Sequence, residues 1–247
     1  MSVQFAIIVG SGFDAFDDEG DVHALTTRFG APSAAIRQTV FDARSVFVLP
    51  RHGDDHTLPP HVVNYRANLL ALKELGTEAV IALNTVGVVS DKREPGQLAV
   101  PDQIIDYTWG RAHSIYDEAV ADLAHIEFTE PFSLSVRQAL LAAADAADVD
   151  CFDGGVYAAT QGPRLETAAE VDRLERDGAD YIGMTAMPEA SIARELDIDY
   201  ACLSLIVNRA AGRGDLPIHD DVESSTLAAR MQAMQVLKQF FRPSQCP

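Results

Sequence analysis

The chain has 247 residues, with 19 Lys+Arg against 37 Asp+Glu, a formal net charge of −18 and a hydrophobic fraction of 47%. That length and apolar content can fill the core of one large α/β domain, which excludes a disordered or fibrous chain. The acidic balance excludes a nucleic-acid coat or a binder of anionic membranes, because both need a basic surface, so an anionic substrate must be held by a local pocket of donors.

The N-terminus carries no basic segment, and the first apolar run, residues 5–9, is too short for a signal peptide or a membrane span. Cys151, Cys202 and Cys246 are too few and too scattered for a disulfide framework or a zinc site. The expectation is a cytoplasmic protein with no nucleic-acid or membrane partner.

Taken in chain order, a strand over residues 3–9 leads into Gly10-Ser11-Gly12, where glycines let the backbone bend around a ligand such as phosphate. The dinucleotide fingerprint fails, because no third glycine follows at the required spacing. A strand over 45–49 precedes Arg51-His52-Gly53 and His56, a concentration of arginine and histidine unusual in so acidic a chain. Arg51 can give a paired hydrogen bond to an oxyanion. Metal ligation fits less well, since His52 and His56 lie among Gly, Asp and Pro rather than on one helix face.

A helix over 65–75 carries the stripe Leu69, Leu72 and Leu75, and Gly76 ends it. The strand over 79–83 closes on Asn84-Thr85-Val86-Gly87, and 93–103 reads as a loop at a sheet edge, as does 51–61. Helices are predicted over 133–147, 167–176, 188–196 and 224–241, alternating with strands over 151–158, 181–184 and 200–207. Pro188 suits the first turn of its helix. Strands apolar throughout are buried on both faces. With no linker or repeat, the reading is a single domain over 1–247: α/β, with a mixed, mainly parallel central sheet flanked by helices.

Strand ends and the loops after them gather the polar motifs, which is where α/β sites are built. The ordered set VGSGF, RHG with His56, VNYRAN, NTVG, EPGQLAVPDQIIDYT, QGPRLET with AEV, and GADYIGMTAMPEA resembles the methylthioadenosine and purine nucleoside phosphorylase family in its trimeric branch, from about residue 6 to residue 210. The resemblance implies the nucleoside phosphorylase fold and cleavage of a purine nucleoside by inorganic phosphate, without metal or cofactor. It implies that Ser11, Arg51, His52, Thr85 (through its backbone) and Thr185 bind phosphate, and that Met184 packs the ribose.

Two positions depart from the methylthioadenosine branch: Glu166 stands where that branch has a small hydroxyl residue, and Asn208 where it has an aspartate. Hypoxanthine offers an O6 acceptor and an N1–H donor, so an amide and a carboxylate match it, whereas carboxylate acceptors match a 6-amino group. Asn208 and Glu166 are therefore the expected catalytic, base-facing pair. At the other end of the nucleoside, Val222 aligns near a histidine that bonds the 5′-hydroxyl in relatives, and an apolar residue there favours a thioether; His219 takes the role if the alignment shifts. Leu165 replaces a phenylalanine that packs on the base or sugar. His125 matches a residue that reaches a neighbouring site in a homotrimer, or is a surface histidine beside Glu127.

The expected reaction is phosphorolysis of methylthioinosine to hypoxanthine and 5-methylthioribose 1-phosphate. Methylthioadenosine or inosine and guanosine are the alternative substrates. A nucleoside-binding protein without turnover would not need the phosphate set.

Overall fold

The structure is a computed structural model that describes residues 4–11, 13, 20–41, 44–90, 92–116, 125–214 and 218–242, without the side chains of 218–221 and 223. Gly12, Cys246 and the His219 side chain lie outside that set.

Strand β1 (Phe5–Val9) lies between β4 (Arg44–Pro50) and β5 (Ala79–Val88), parallel to both. Strand β11 (Asp199–Arg209) runs parallel along the other side of β5. Side chains on these strands point alternately to opposite faces, so an unbroken apolar run feeds two cores. Ala6, Ile8, Val80, Ala82 and Cys202 pack on one face beneath α1 (Tyr65–Glu74) and α4 (Ala186–Glu195). Phe5, Ile7, Ile81, Leu83, Leu203 and Leu205 pack on the other beneath α2 (Leu134–Ala146) and α5 (Ile218–Phe240). Each buried Ile, Leu, Val or Phe among them contributes about 1.5–3 kcal/mol relative to exposure.

The remaining strands extend this sheet. β2 (Asp21–His23) and β3 (Ile36–Phe41) add antiparallel beyond β4. β6 (Leu98–Val100) joins β11 antiparallel and β8 (Cys151–Asp153) parallel. β9 (Val156–Ala159) lies between β7 (Gln103–Asp106) and β10 (Tyr181–Gly183), parallel to each. Helix α3 (Ala168–Arg176) places Val171 and Leu174 against Ala158 and Ile182 in a smaller third core. Its N-terminus is a reciprocal cap between Thr167 and Glu170.

Several expectations are corrected. The 93–103 segment is not all loop: β6 and the start of β7 lie in it, too short to show a period in sequence. The predicted strand over 151–158 is two strands, broken where Gly154 and Gly155 take φ of 83° and 103°. Asn84 to Gly87 is not a terminal turn, because β5 continues to Val88.

That extension positions the site. Along one edge, β5 pairs with β1 at residues 79–82 and with antiparallel β10 at residues 87 and 88. Between these stretches the sheet forks and β5 is left unpaired on that side. Opposite, a β-bulge interrupts the β5–β11 register between Ile206 and Asn208, a device that re-aims side chains.

Candidate active site

A cleft of about 400 Å³ opens at the fork, at the C-terminal ends of β1, β4 and β11. Ser11, Arg51, His52, Thr85, Leu165, Glu166, Met184, Thr185 and Asn208, drawn from six separate stretches of chain, all line it. Val222 and His125 are not among its lining residues. Val222 is half-buried on α5, and His125 is exposed outside any helix or strand.

Gly10 is needed for close approach, not for a bend: a Cβ there would lie 2.7 Å from Arg51 Nη1 and 2.9 Å from the Leu83 carbonyl. Without a side chain at Gly10, the Arg51 guanidinium slides under the end of β1. Arg51 is completely buried. Its Nε and Nη2 donate to the two carboxylate oxygens of Glu189 at 2.7 and 2.8 Å, and its Nη1 donates to Leu83 O at 3.0 Å.

The paired prongs expected for an oxyanion are thus taken by an internal carboxylate, leaving one N–H on each of Nη1 and Nη2. Burial opposes the Arg51 charge, but Glu189 outweighs it and holds the pKa above the ordinary arginine range. Glu189, itself fully buried, also accepts from the Tyr200 hydroxyl at 2.8 Å.

His52 donates from Nδ1 to Leu58 O at 2.7 Å, which leaves Nε2 as an acceptor in the neutral ring. Burial, then the neighbouring Arg51 charge, lower its pKa to about 4, so it is neutral at pH 7. His56 packs its ring 4.7 Å from that of His52 and meets Ser11 Oγ at 3.1 Å through Nε2. When His56 donates in that bond, the Ser11 hydroxyl is free to donate to an anion.

Thr185, the N-cap of α4, makes no side-chain capping bond and lines the same cleft. The backbone of α4 is non-helical at Met187, and the regular helix starts at Pro188 as expected. Gly183, just before, admits the Tyr157 hydroxyl, which would lie 2.0 Å from a Cβ at that position.

Thr160 Oγ1, next to Gly183, donates to Glu166 Oε1 at 2.6 Å, leaving Oε2 to accept from a ligand. Asn208 Nδ2 gives one N–H to Arg209 O at 2.7 Å and keeps one to donate. The cleft therefore joins one end lined by hydroxyls, a neutral imidazole and a charge-compensated guanidinium to another with an amide donor and a carboxylate acceptor. Among the described residues no group of His, Cys, Asp and Glu could hold a metal ion.

Sequence reasoning missed the supporting residues. Glu189 stands in the quoted MTAMPEA run as an acid within an apolar stretch, a usable signal, but its partner Arg51 is 138 positions away. His56 lay in the histidine-rich loop without an assigned role. Thr160, Tyr157 and Tyr200 carried no local signal.

The Phosphorylase superfamily pattern matches residues 4–242. A Xanthomonas campestris protein named "Probable S-methyl-5′-thioinosine phosphorylase" is 48% identical over 216 residues, covering 87% of this chain and 86% of that protein. A Pyrococcus furiosus protein named "6-oxopurine nucleoside phosphorylase" is 40% identical over 85% of this chain and 80% of its own. Among solved structures, methylthioadenosine phosphorylase from Schistosoma mansoni in complex with tubercidin superimposes with a TM-score of 0.90 at 31% identity, over 97% of this chain and 90% of that one.

Proposed function

The chain belongs to the Phosphorylase superfamily, and from that premise we propose that it cleaves S-methyl-5′-thioinosine with inorganic phosphate, giving hypoxanthine and 5-methylthioribose 1-phosphate. The observation that carries the base assignment is the pairing of Asn208, with a free amide N–H, and Glu166, with a free carboxylate oxygen, in one cleft. Asn208 donates to O6 or N7 of the departing purine, and Glu166 accepts from N1–H. The relatives named for a thioinosine and for 6-oxopurines support the same preference.

Hydrogen phosphate sits between Ser11, His52 and Thr185, its P–OH donating to the His52 Nε2 acceptor, with the two remaining Arg51 N–H donors and the Thr85 backbone completing its shell. The Arg51–Glu189 pair is neutral overall, so bound phosphate keeps its negative charge for the ribosyl cation that develops as the glycosidic bond breaks. Positioning of phosphate against C1′ and this electrostatic match supply most of the rate gain. Negative charge growing on the base is relieved by the Asn208 amide. Met184 and Leu165 pack the sugar and base.

No helix among the described residues is long and apolar enough to cross a membrane. Cys151 and Cys202 are free thiols, which supports a reducing, cytoplasmic location. The reading includes a homotrimer in which the exposed His125 of each copy closes a neighbouring cleft; His125→Ala then weakens nucleoside binding without changing phosphate binding.

One observation favours a second reading: Val222 does not line the cleft, so the apolar 5′ wall has no support from it, and an ordinary 6-oxopurine nucleoside with a 5′-hydroxyl is the rival substrate. Release of free base from methylthioinosine, methylthioadenosine, inosine and adenosine, each with and without phosphate, separates them. Phosphate-dependent preference for methylthioinosine is expected. Preference for inosine assigns the 5′ end to a hydroxyl, and preference for methylthioadenosine overturns the roles of Asn208 and Glu166.

A further inference from the structure

Arg111 lies outside every helix and strand, and it does not line the cleft. Its guanidinium nevertheless reaches two neighbouring segments that lead into the cleft, 160–161 and 184–187, whose only direct main-chain link among the described residues is Thr160 N–H to Gly183 O at 2.8 Å. Nη1 donates to Met184 O at 2.8 Å and Met187 O at 2.7 Å; Nη2 donates to Gln161 O at 2.7 Å and Thr160 O at 3.2 Å; Nε donates to the Gln161 side-chain oxygen at 3.3 Å. All five N–H donors are matched to neutral oxygens, and among the described residues no carboxylate bonds it. Nη1 also touches the Tyr65 hydroxyl at 3.4 Å, and that hydroxyl donates at 2.9 Å to the O of Pro60, which lines the cleft.

What these carbonyls belong to decides what the contact does. Met184 and Met187 bracket Thr185, so Arg111 grips the irregular turn at the head of α4 from both ends. Thr160 holds Glu166 through its hydroxyl, so the same cation fixes the backbone of the residue that orients the base acceptor. Backbone carbonyls in an irregular turn have no ladder to hold them, and a planar five-donor fork is the side chain able to tie four of them at once. A lysine, with three donors on a point charge, cannot reproduce it.

We propose that Arg111 is a positioning residue that locks the phosphate-side turn at Thr185 to the base-side loop at Thr160 and Glu166, so that the two substrates are held in register for attack. The inference rests on the phosphorolysis reading for its kinetic consequence, though not for its structural one. Loss of register of the order of 1 Å between two bound reactants costs about 100-fold in rate.

Arg111→Ala and Arg111→Lys test it against the wild-type protein. Both variants are expected to lower kcat by about 100-fold, with a several-fold rise in KM for phosphate and for nucleoside together. Millimolar guanidinium added to Arg111→Ala is expected to restore activity severalfold, and methylammonium is not. A merely structural role predicts a smaller active fraction, with kcat reduced, both KM values unchanged and no rescue, because guanidinium destabilises folds. That pattern, or wild-type kinetics in both variants, overturns the proposal.

Amide hydrogen exchange across 160–166 and 183–187 gives a readout independent of turnover. Both segments are expected to exchange faster in Arg111→Ala and to slow again with guanidinium. If the wild-type protein turns over no nucleoside, the phosphorolysis reading fails, and exchange alone decides whether Arg111 locks the two segments; unchanged exchange in either segment overturns the lock.

Discussion

Replacing Glu189 by Gln tests the energetics of the buried Arg51–Glu189 ion pair at the cleft. The wild-type carboxylate takes three hydrogen bonds, from Arg51 Nε at 2.7 Å, Arg51 Nη2 at 2.8 Å and Tyr200 Oη at 2.8 Å, with both charged side chains wholly buried. An amide keeps one acceptor oxygen but turns an NH2 toward the guanidinium, so one charge-assisted bond becomes a donor–donor clash and the Arg51 charge is left uncompensated. Removing one partner of such a pair costs about 3–5 kcal/mol. At about 2–4 °C per kcal/mol for a chain of this size, the melting temperature falls about 6–20 °C.

The same substitution frees a guanidinium prong for the bound anion, so phosphate stabilises the variant more than the wild type. Thermal melts of both proteins, with and without saturating phosphate, read the two effects together. A melting temperature within about 2 °C of wild type without phosphate, or an equal phosphate-induced rise in both proteins, refutes the reasoning that Glu189 is the counter-charge of Arg51.

Two further outcomes follow from the site. Asn208→Asp removes the free amide N–H and places a carboxylate oxygen against Arg209 O, so kcat/KM for methylthioinosine relative to methylthioadenosine is expected to fall about 5–150-fold, the equivalent of one unpaired buried polar group at about 1–3 kcal/mol; an unchanged ratio in parallel phosphorolysis assays removes Asn208 from base recognition. His52, whose pKa is lowered by burial and Arg51 from 6.5 to about 4, stays neutral in the fold while the unfolded chain protonates, so its contribution to stability is intact above pH 6.5 and declines as pH falls from 6.5 toward 4, by at most about 1.4 kcal/mol per pH unit. Urea denaturation of wild type and His52→Gln across that range isolates the term from the many carboxylates, and parallel curves for the two proteins contradict it.

Much of the scaffold was readable because it follows from local pattern. The apolar runs of β1, β4 and β11, the leucine stripe of α1 with Gly76 at φ 84°, and the start of the α4 helix at Pro188 each depend on residues within a few positions of one another. The short strands β6, β7 and β2 were not readable, since three or four residues cannot display a period of two, and each exists only because a neighbouring strand offers an edge.

At the site, the distinction is between which side chains arrive and what they do on arrival. Nine of the expected residues line the same cleft because each sits in a short polar or glycine-containing stretch at or just after a strand end, a pattern visible locally. That Arg51 gives its fork to Glu189 and not to a ligand, that His52 is neutral with Nε2 as an acceptor, and that β5 runs on past Asn84 to open the fork were decided by the tertiary structure. The physical reason is the same in each case. Residue type and neighbours in the chain set what a group can donate or accept, but its protonation and its remaining valence depend on partners brought in by folding, 138 positions away for Arg51 and Glu189, and on the water that folding removes.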